Sequence, residues 1–341
     1  MATKGHHREK WERLSEVEEY GAVCRARLKH LVEVREPLVL ISQIQRSGGT
    51  LLSQLFDDHV QCHAHPQQLH IGHPSSREWP PLVLDQPEHC FSVLYERKAA
   101  LHLRQSYRKS AINKDTFPFC FLPRLQHAIF SRCMASRPVE GERDVLDCYF
   151  TSYFNAWLDN RNLYTGPKKV VTGFAPRLSE RLANVEQLFA AYPDGTLISV
   201  VRDPRGWYPS MQATSLRAKW PELGAAIGAW RQSVEAAIEA SERFPERVLL
   251  LTYEQLAGDT ERTMTRVAEK IGITMSPVLL APTFNGQPIR ANSRSPVERH
   301  GIIAERMTAY RDSLDSATIA RIEDLGGDLY ERAVALSTAA V

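Results

Sequence analysis

Short unbroken apolar runs alternate along this chain with longer stretches whose apolar positions recur every three or four residues. The run PLVLISQI, from Pro37 to Ile44, predicts a strand buried on both faces. Leu51, Leu52, Leu55 and Phe56 follow at helical spacing. KKVVTGFA (168–175) predicts a second strand, ahead of a helical pattern over about 179–191. GTLISVVR (195–202) predicts a third, β-branched and closed by the turn-forming DPRG. An amphipathic stretch over about 222–244 predicts a long helix, and RVLLLTYEQL (247–256) a fourth strand. DTERTMTRVAEKIGI then predicts a helix capped by Asp259. Strands alternating with helices imply right-handed crossovers and an α/β fold, a parallel β-sheet flanked by helices on both faces. Such sheets bind ligands beyond the carboxyl ends of their strands, where the loops 45–50 and 202–210 fall.

The stretch from about 62 to 165 breaks this rhythm with His, Pro, Arg and aromatic residues. Helical patterns near 91–112 and 144–160 mark it as a helical insertion on the acceptor side of one domain spanning 1–341. After about 281 the chain is loop-like before a last helical region at about 299–338.

At 341 residues and 43% apolar content the chain can bury a large core. Its 42 basic and 40 acidic residues nearly balance, which argues against a broad nucleic-acid-binding face. No apolar run approaches the roughly 20 residues of a membrane span, and the polar start does not read as a secretory signal. The six cysteines are scattered and read as free thiols, so a cytoplasmic protein is expected.

The candidate chemistry begins at QRSGGT. A strand entering this loop and a helix leaving it present successive backbone N–H groups to an anion. Gly48 and Gly49 permit close approach, Ser47 and Thr50 add hydroxyls, and Arg46 adds a charged fork. An ATP-type loop would need a lysine before Thr50 and a glycine at 43, where Gly49 and Gln43 stand. The loop therefore suits a terminal phosphate without a metal clamp. In VVRDPRGWYPS, Arg202 ends a strand and Ser210 follows eight residues later, so charge and hydroxyl can meet a second phosphate.

Together these loops resemble the sulfotransferase family, whose members move sulfuryl from 3′-phosphoadenosine 5′-phosphosulfate (PAPS). QRSGGTLL is similar to that family's 5′-phosphosulfate loop, VVRDPRGWYPS to its 3′-phosphate motif, and LLLTYEQL to its Tyr-Glu-Asp-Leu strand end. The resemblance spans about residues 37–272 and implies a P-loop-like sulfotransferase fold. It implies donor contacts from Arg46, Ser47, Gly48, Gly49, Thr50, Leu51, Arg202 and Ser210, with Tyr253 on the adenine. It implies in-line, metal-independent transfer to an acceptor hydroxyl or amine, with Arg46 stabilising the leaving oxygen. Sugar hydroxyl, protein tyrosine and small metabolite all stay open as acceptors. Departures from the family pattern are Gly49 in place of a threonine, Arg46 where lysine is common, and RANSRS (290–295) as a substitute for a C-terminal Arg-Lys-Gly.

A base is expected just beyond the first helix, in HVQCHAHPQQLHIGH. His65 is the first candidate and His63 the second, with His70 nearby and Gln67 and Gln68 where acids would be expected. Cys62, His63, His65, His70 and Cys90 lack a zinc-site spacing, so no metal is expected. Arg97, Lys98, Arg104, Arg108 and Lys109 read as a solvated face, and Trp79, Trp157, Phe117 and Phe119 as core or acceptor cleft. Two rivals stand beside the transferase: an ATP/Mg-dependent P-loop kinase, and a non-catalytic nucleotide-binding protein that keeps the fold.

Overall fold

Along the first strand Val39 and Ile41 turn to one face while Leu38 and Leu40 turn to the other, and all four are buried. That is the signature of a strand with helices above and below it. The structure, a computed structural model, describes residues 16–69, 71, 78–95, 107–108, 116–290 and 300–339.

In chain order the strands are β1 (Leu38–Ile41), β2 (Cys62–Gln68), β3 (Tyr107–Arg108), β4 (Thr116–Phe117), β5 (Val170–Phe174), β6 (Thr196–Val201), β7 (Val248–Thr252), β8 (Thr283–Phe284) and β9 (Gln287–Pro288). The helices are α1 (Glu16–Lys29), α2 (Gly49–Leu55), α3 (Pro87–Leu94), α4 (Pro123–Ser136), α5 (Glu142–Ala156), α6 (Leu182–Ala191), α7 (Pro204–Gln212), α8 (Leu223–Arg243), α9 (Tyr253–Gly258), α10 (Thr260–Ile271), α11 (Tyr310–Ser313) and α12 (Ser316–Ala339).

Five strands form one sheet in the order β2-β5-β1-β6-β7, each pairing parallel. The chain leaves β1 toward the β2 edge, returns through β5, and then crosses β1 to reach β6. The switch point thus lies between β1 and β6, whose registers set Leu40 against Leu197 and Ile41 against Ile198. On one face Val39, Ile41, Ile198, Val200, Leu249 and Leu251 meet Leu52 and Leu55 of α2 and Met264 and Val267 of α10. The opposite face meets α5, α6 and α8, with α12 covering α8.

Each of the four strands read from the apolar runs is present, trimmed by one to three residues at its ends, except that the last yields to α9 at Tyr253. Asp259 does cap α10, accepting from the Arg262 backbone N–H at 3.2 Å. Three expectations need correction. Residues 62–68 are the edge strand of the main sheet, so the inserted region begins after Gln68; a proline and four polar residues hid a strand that pairs along one side only. The last helical region is broken into a 3₁₀ turn (Ala304–Met307), α11 and α12. Cys133 and Cys148 are joined by a disulfide that links α4 to α5, leaving Cys24, Cys62, Cys90 and Cys120 free. Fifteen residues apart in sequence, these two cysteines are brought together by the helical hairpin, which the scatter of thiols did not reveal.

Arg97, Lys98, Arg104, Lys109, His70 and most of RANSRS lie outside the described residues. Trp79, Trp157, Phe117 and Phe119 are core: all are buried, with Phe119 against Trp157 at 4.9 Å. Among the described residues no helix is long and apolar enough to cross a membrane.

Candidate active site

β1 and β6 end at Ile41 and Val201, and beyond them backbone groups of Ile44, Gln45 and Arg202 find partners on α7 and α8. Ser233 Oγ accepts from the Ile44 N–H at 2.9 Å, the Trp207 indole N–H donates to the Gln45 carbonyl at 2.8 Å, and the Trp230 indole N–H donates to the Arg202 carbonyl at 3.0 Å. Asp203 caps α7 by accepting from the Arg205 N–H at 2.8 Å, and Pro204 occupies the first turn where no donor is needed.

Two left-handed residues shape the first loop: Arg46 at φ 74° and Gly48 at φ 106°. Such alternation makes a concave turn of backbone N–H groups of the kind that holds anions. At Gly48 a Cβ would lie 2.8 Å from the Tyr253 ring, so glycine is required there by both conformation and contact. At Gly49 the reason is different. A Cβ would stand 2.5 Å from the Phe174 ring and closer still to the Gln43 amide, so those residues fill the space that a threonine would take.

Both loops open into one cavity of about 430 Å³. From the first loop it is lined by Gln45, Arg46, Gly48, Gly49, Thr50 and Leu51, and from the second by Arg202, Gly206, Pro209 and Ser210. The Arg46 Nε donates to Ser210 Oγ at 3.1 Å, and Arg202 Nη1 donates to the Arg46 carbonyl at 3.2 Å. The Arg202 guanidinium stacks on Tyr253, 4.5 Å from the ring centre, while its Nε has no partner in the protein. Burial, offset in part by Arg202, pushes the Tyr253 phenol up. The two loops thus share one chamber. Ser47 lies beneath the loop at 1% exposure, away from the cavity lining, with its Oγ unpartnered in the protein.

The far wall was not legible in the sequence. Gly301, Ile302, Ile303, Arg306, Ala309, Tyr310 and Ser313 line it. They come from a segment whose short 3₁₀ turn and four-residue helix carry too little periodicity to be recognised. Arg306 is a third cation in the chamber, and the described lining residues include no carboxylate and no imidazole.

His63 and His65 do not reach this cavity. Side chains alternate along a strand, and the odd positions of β2 point beneath α5. The His63 ring lies 5.1 Å from Phe154 and the His65 ring 4.3 Å from Tyr153, at 2% and 4% exposure. Burial lowers the His63 pKa to about 3, so the ring is neutral, with Nε2 3.9 Å from Glu36. Gln68, at the carboxyl end of the same strand, is the β2 residue that lines the chamber. Among the described residues no group of His, Cys, Asp and Glu is placed to hold a metal ion.

Comparison with known proteins gives the setting. Residues 37–277 match the profile of the family described as "Sulfotransferase family". No curated protein matches the sequence. Similar solved structures include the sulfotransferase domain from the curacin biosynthetic pathway, at 15% identity over 85% of this chain and 96% of that one, TM-score 0.47. Sulfotransferase STF9 from Mycobacterium avium is similar at 15% identity over 93% and 81%, TM-score 0.41. A retinol dehydratase solved with retinol and PAP is similar at 14% identity over 89% and 86%, TM-score 0.40.

Proposed function

The chain belongs to the sulfotransferase family, and from that premise we propose that it transfers sulfuryl from PAPS to an acceptor hydroxyl. The observation that carries this reading is the cation set of the chamber. Arg46, Arg202 and Arg306 line it together with Ser210, and no carboxylate does so among the described residues. Three guanidinium groups sharing one space repel one another unless an anion enters, so the natural occupant carries several negative charges. A nucleotide with a phosphosulfate on one side of its ribose and a phosphate on the other meets that need. Tyr253, packed against Arg202, offers an aromatic face for the adenine.

In the proposed reaction the S–O bond to the donor phosphate breaks and an S–O bond to the acceptor oxygen forms. The acceptor's proton is released to solvent, and adenosine 3′,5′-bisphosphate leaves. Arg46 and the backbone N–H groups around it stabilise charge growing on the departing phosphate oxygen. Arg202 and Ser210 hold the other phosphate, so the reacting centre is fixed by remote binding. His63 and His65 have no part in this scheme, because their rings lie outside the chamber.

The direct test is transfer of labelled sulfate from PAPS to mixed pools of sugars, tyrosyl peptides and small phenols, with a chelator present. Labelled product in any pool supports the reading. A chain that bound and turned over only ATP with Mg²⁺ would contradict it.

A further inference from the structure

We infer that α8 holds the two anion-binding loops at a fixed separation through Trp230 and Ser233, and that this spacing tunes recognition of a ligand with two phosphates. The inference rests on the reading of the chamber given above.

Trp230 and Ser233 are three residues apart on one helix, about 4.5 Å along its axis and on the same face. Each makes its bond to a different loop. Ser233 takes the Ile44 N–H at 2.9 Å, two residues before Arg46, and Trp230 gives its indole N–H to the carbonyl of Arg202 at 3.0 Å. Both backbone groups lie just past a strand end, where the ladder no longer supplies partners. Both side chains are buried, Trp230 at 0% and Ser233 at 5% exposure. The indole is backed by α12, where a Cβ on Gly326 would lie 3.1 Å from the ring.

A buried tryptophan needs no such bond to fill space, and a serine at this position adds little packing. Their shared property is that one rigid helix grips the backbone of both cradles. Two other ties between the cradles, Arg202 Nη1 to the Arg46 carbonyl and Arg46 Nε to Ser210 Oγ, use ligand-binding guanidinium groups. They are therefore open to competition from a bound phosphate, whereas the α8 ties and the Trp207 indole's bond to the Gln45 carbonyl are not. A ligand bearing two phosphates on one ribose behaves as a bivalent ligand, so its affinity depends on the spacing of the two sites. A ligand with one phosphate does not sense that spacing.

The test is calorimetric titration of the full chain and its Trp230→Phe and Ser233→Ala variants with three probes: adenosine 3′,5′-bisphosphate, adenosine 5′-monophosphate and adenosine 3′-monophosphate. Both variants should lose about tenfold or more for the bisphosphate, the scale of effect expected from a small misplacement, and about twofold or less for each monophosphate. Equal losses for all three probes, or no loss for any, overturn the inference. Ser233→Ala changes volume little and keeps the test decisive should Trp230→Phe fail to fold. A wild-type chain that binds the bisphosphate no better than the monophosphates overturns the reading of the chamber itself. Preference for the bisphosphate in the wild type, with unchanged ratios in the variants, overturns only the role of α8.

Discussion

Arg46 and Arg202 share a chamber yet are expected to fail differently when removed. In the proposed reaction Arg46 acts where charge develops, so Arg46→Ala should lower kcat by about 10²–10³, the usual cost of losing one preorganised donor. Arg202 is proposed to hold the remote phosphate in ground and transition states alike, so Arg202→Ala should raise the dissociation constant for the bisphosphate and leave kcat much less affected. Steady-state kinetics paired with calorimetry separates the two, and equal changes in both parameters for both variants would contradict the assignments. The loops that carry them were legible because loop chemistry is local: a strand, small residues and an arginine announce themselves in sequence. The histidines lie outside the chamber for an equally physical reason. Which face of β2 they occupy depends on the pairing with β5, and a proline-bearing polar segment gave no alternation to read. His63 instead carries a stability signature. Its pKa is lowered from 6.5 to about 3 by burial, so the unfolded chain binds more protons between those values. Stability from this group is full above about pH 6.5 and is lost as pH falls toward 3, at about 1.4 kcal/mol per pH unit in the middle of that window. His63→Phe should flatten the acid limb of a denaturation series; an unchanged slope would show that the ring is not held neutral.

Among the elements, the junction of β1 and α2 shows why a departure from the family pattern need not mean lost function. Gly49 stands where the family commonly has threonine. The neighbouring Gln43 and Phe174 fill the position, a compensation between β1's outgoing loop and β5 that no local motif displays. Gly49→Ala should therefore destabilise the fold by about 1–3 kcal/mol through overpacking, read as a fall in melting temperature. A neutral outcome would mean that the Phe174 ring yields freely. The α4–α5 hairpin makes a second prediction. A bond closing 15 residues contributes about 3 kcal/mol by loop-closure entropy, so Cys133→Ser with Cys148→Ser should melt several degrees lower than the oxidised chain. Equal melting temperatures with and without reductant would show that the hairpin does not depend on the staple. Scattered cysteines concealed this pair because helix packing, not sequence spacing, set their separation.

Across the whole molecule, the alternating runs foretold the parallel sheet and the crevice at its strand ends. They could not give the strand order, which places the two loops on either side of the β1/β6 switch point. Nor did they foretell that the chamber's far wall comes from residues 301–313, supplied after α10 by a segment with little regular structure. The central claim is that one chamber with three arginines takes an adenosine carrying phosphate on both sides of its ribose, without a metal ion. The most direct measurement is thermal denaturation with adenosine 3′,5′-bisphosphate in the presence of a chelator. At about a hundredfold excess over the dissociation constant, binding should add about 2.7 kcal/mol and raise the melting temperature by a few degrees. No shift with the bisphosphate, beside a clear shift with ATP and Mg²⁺, would contradict the account.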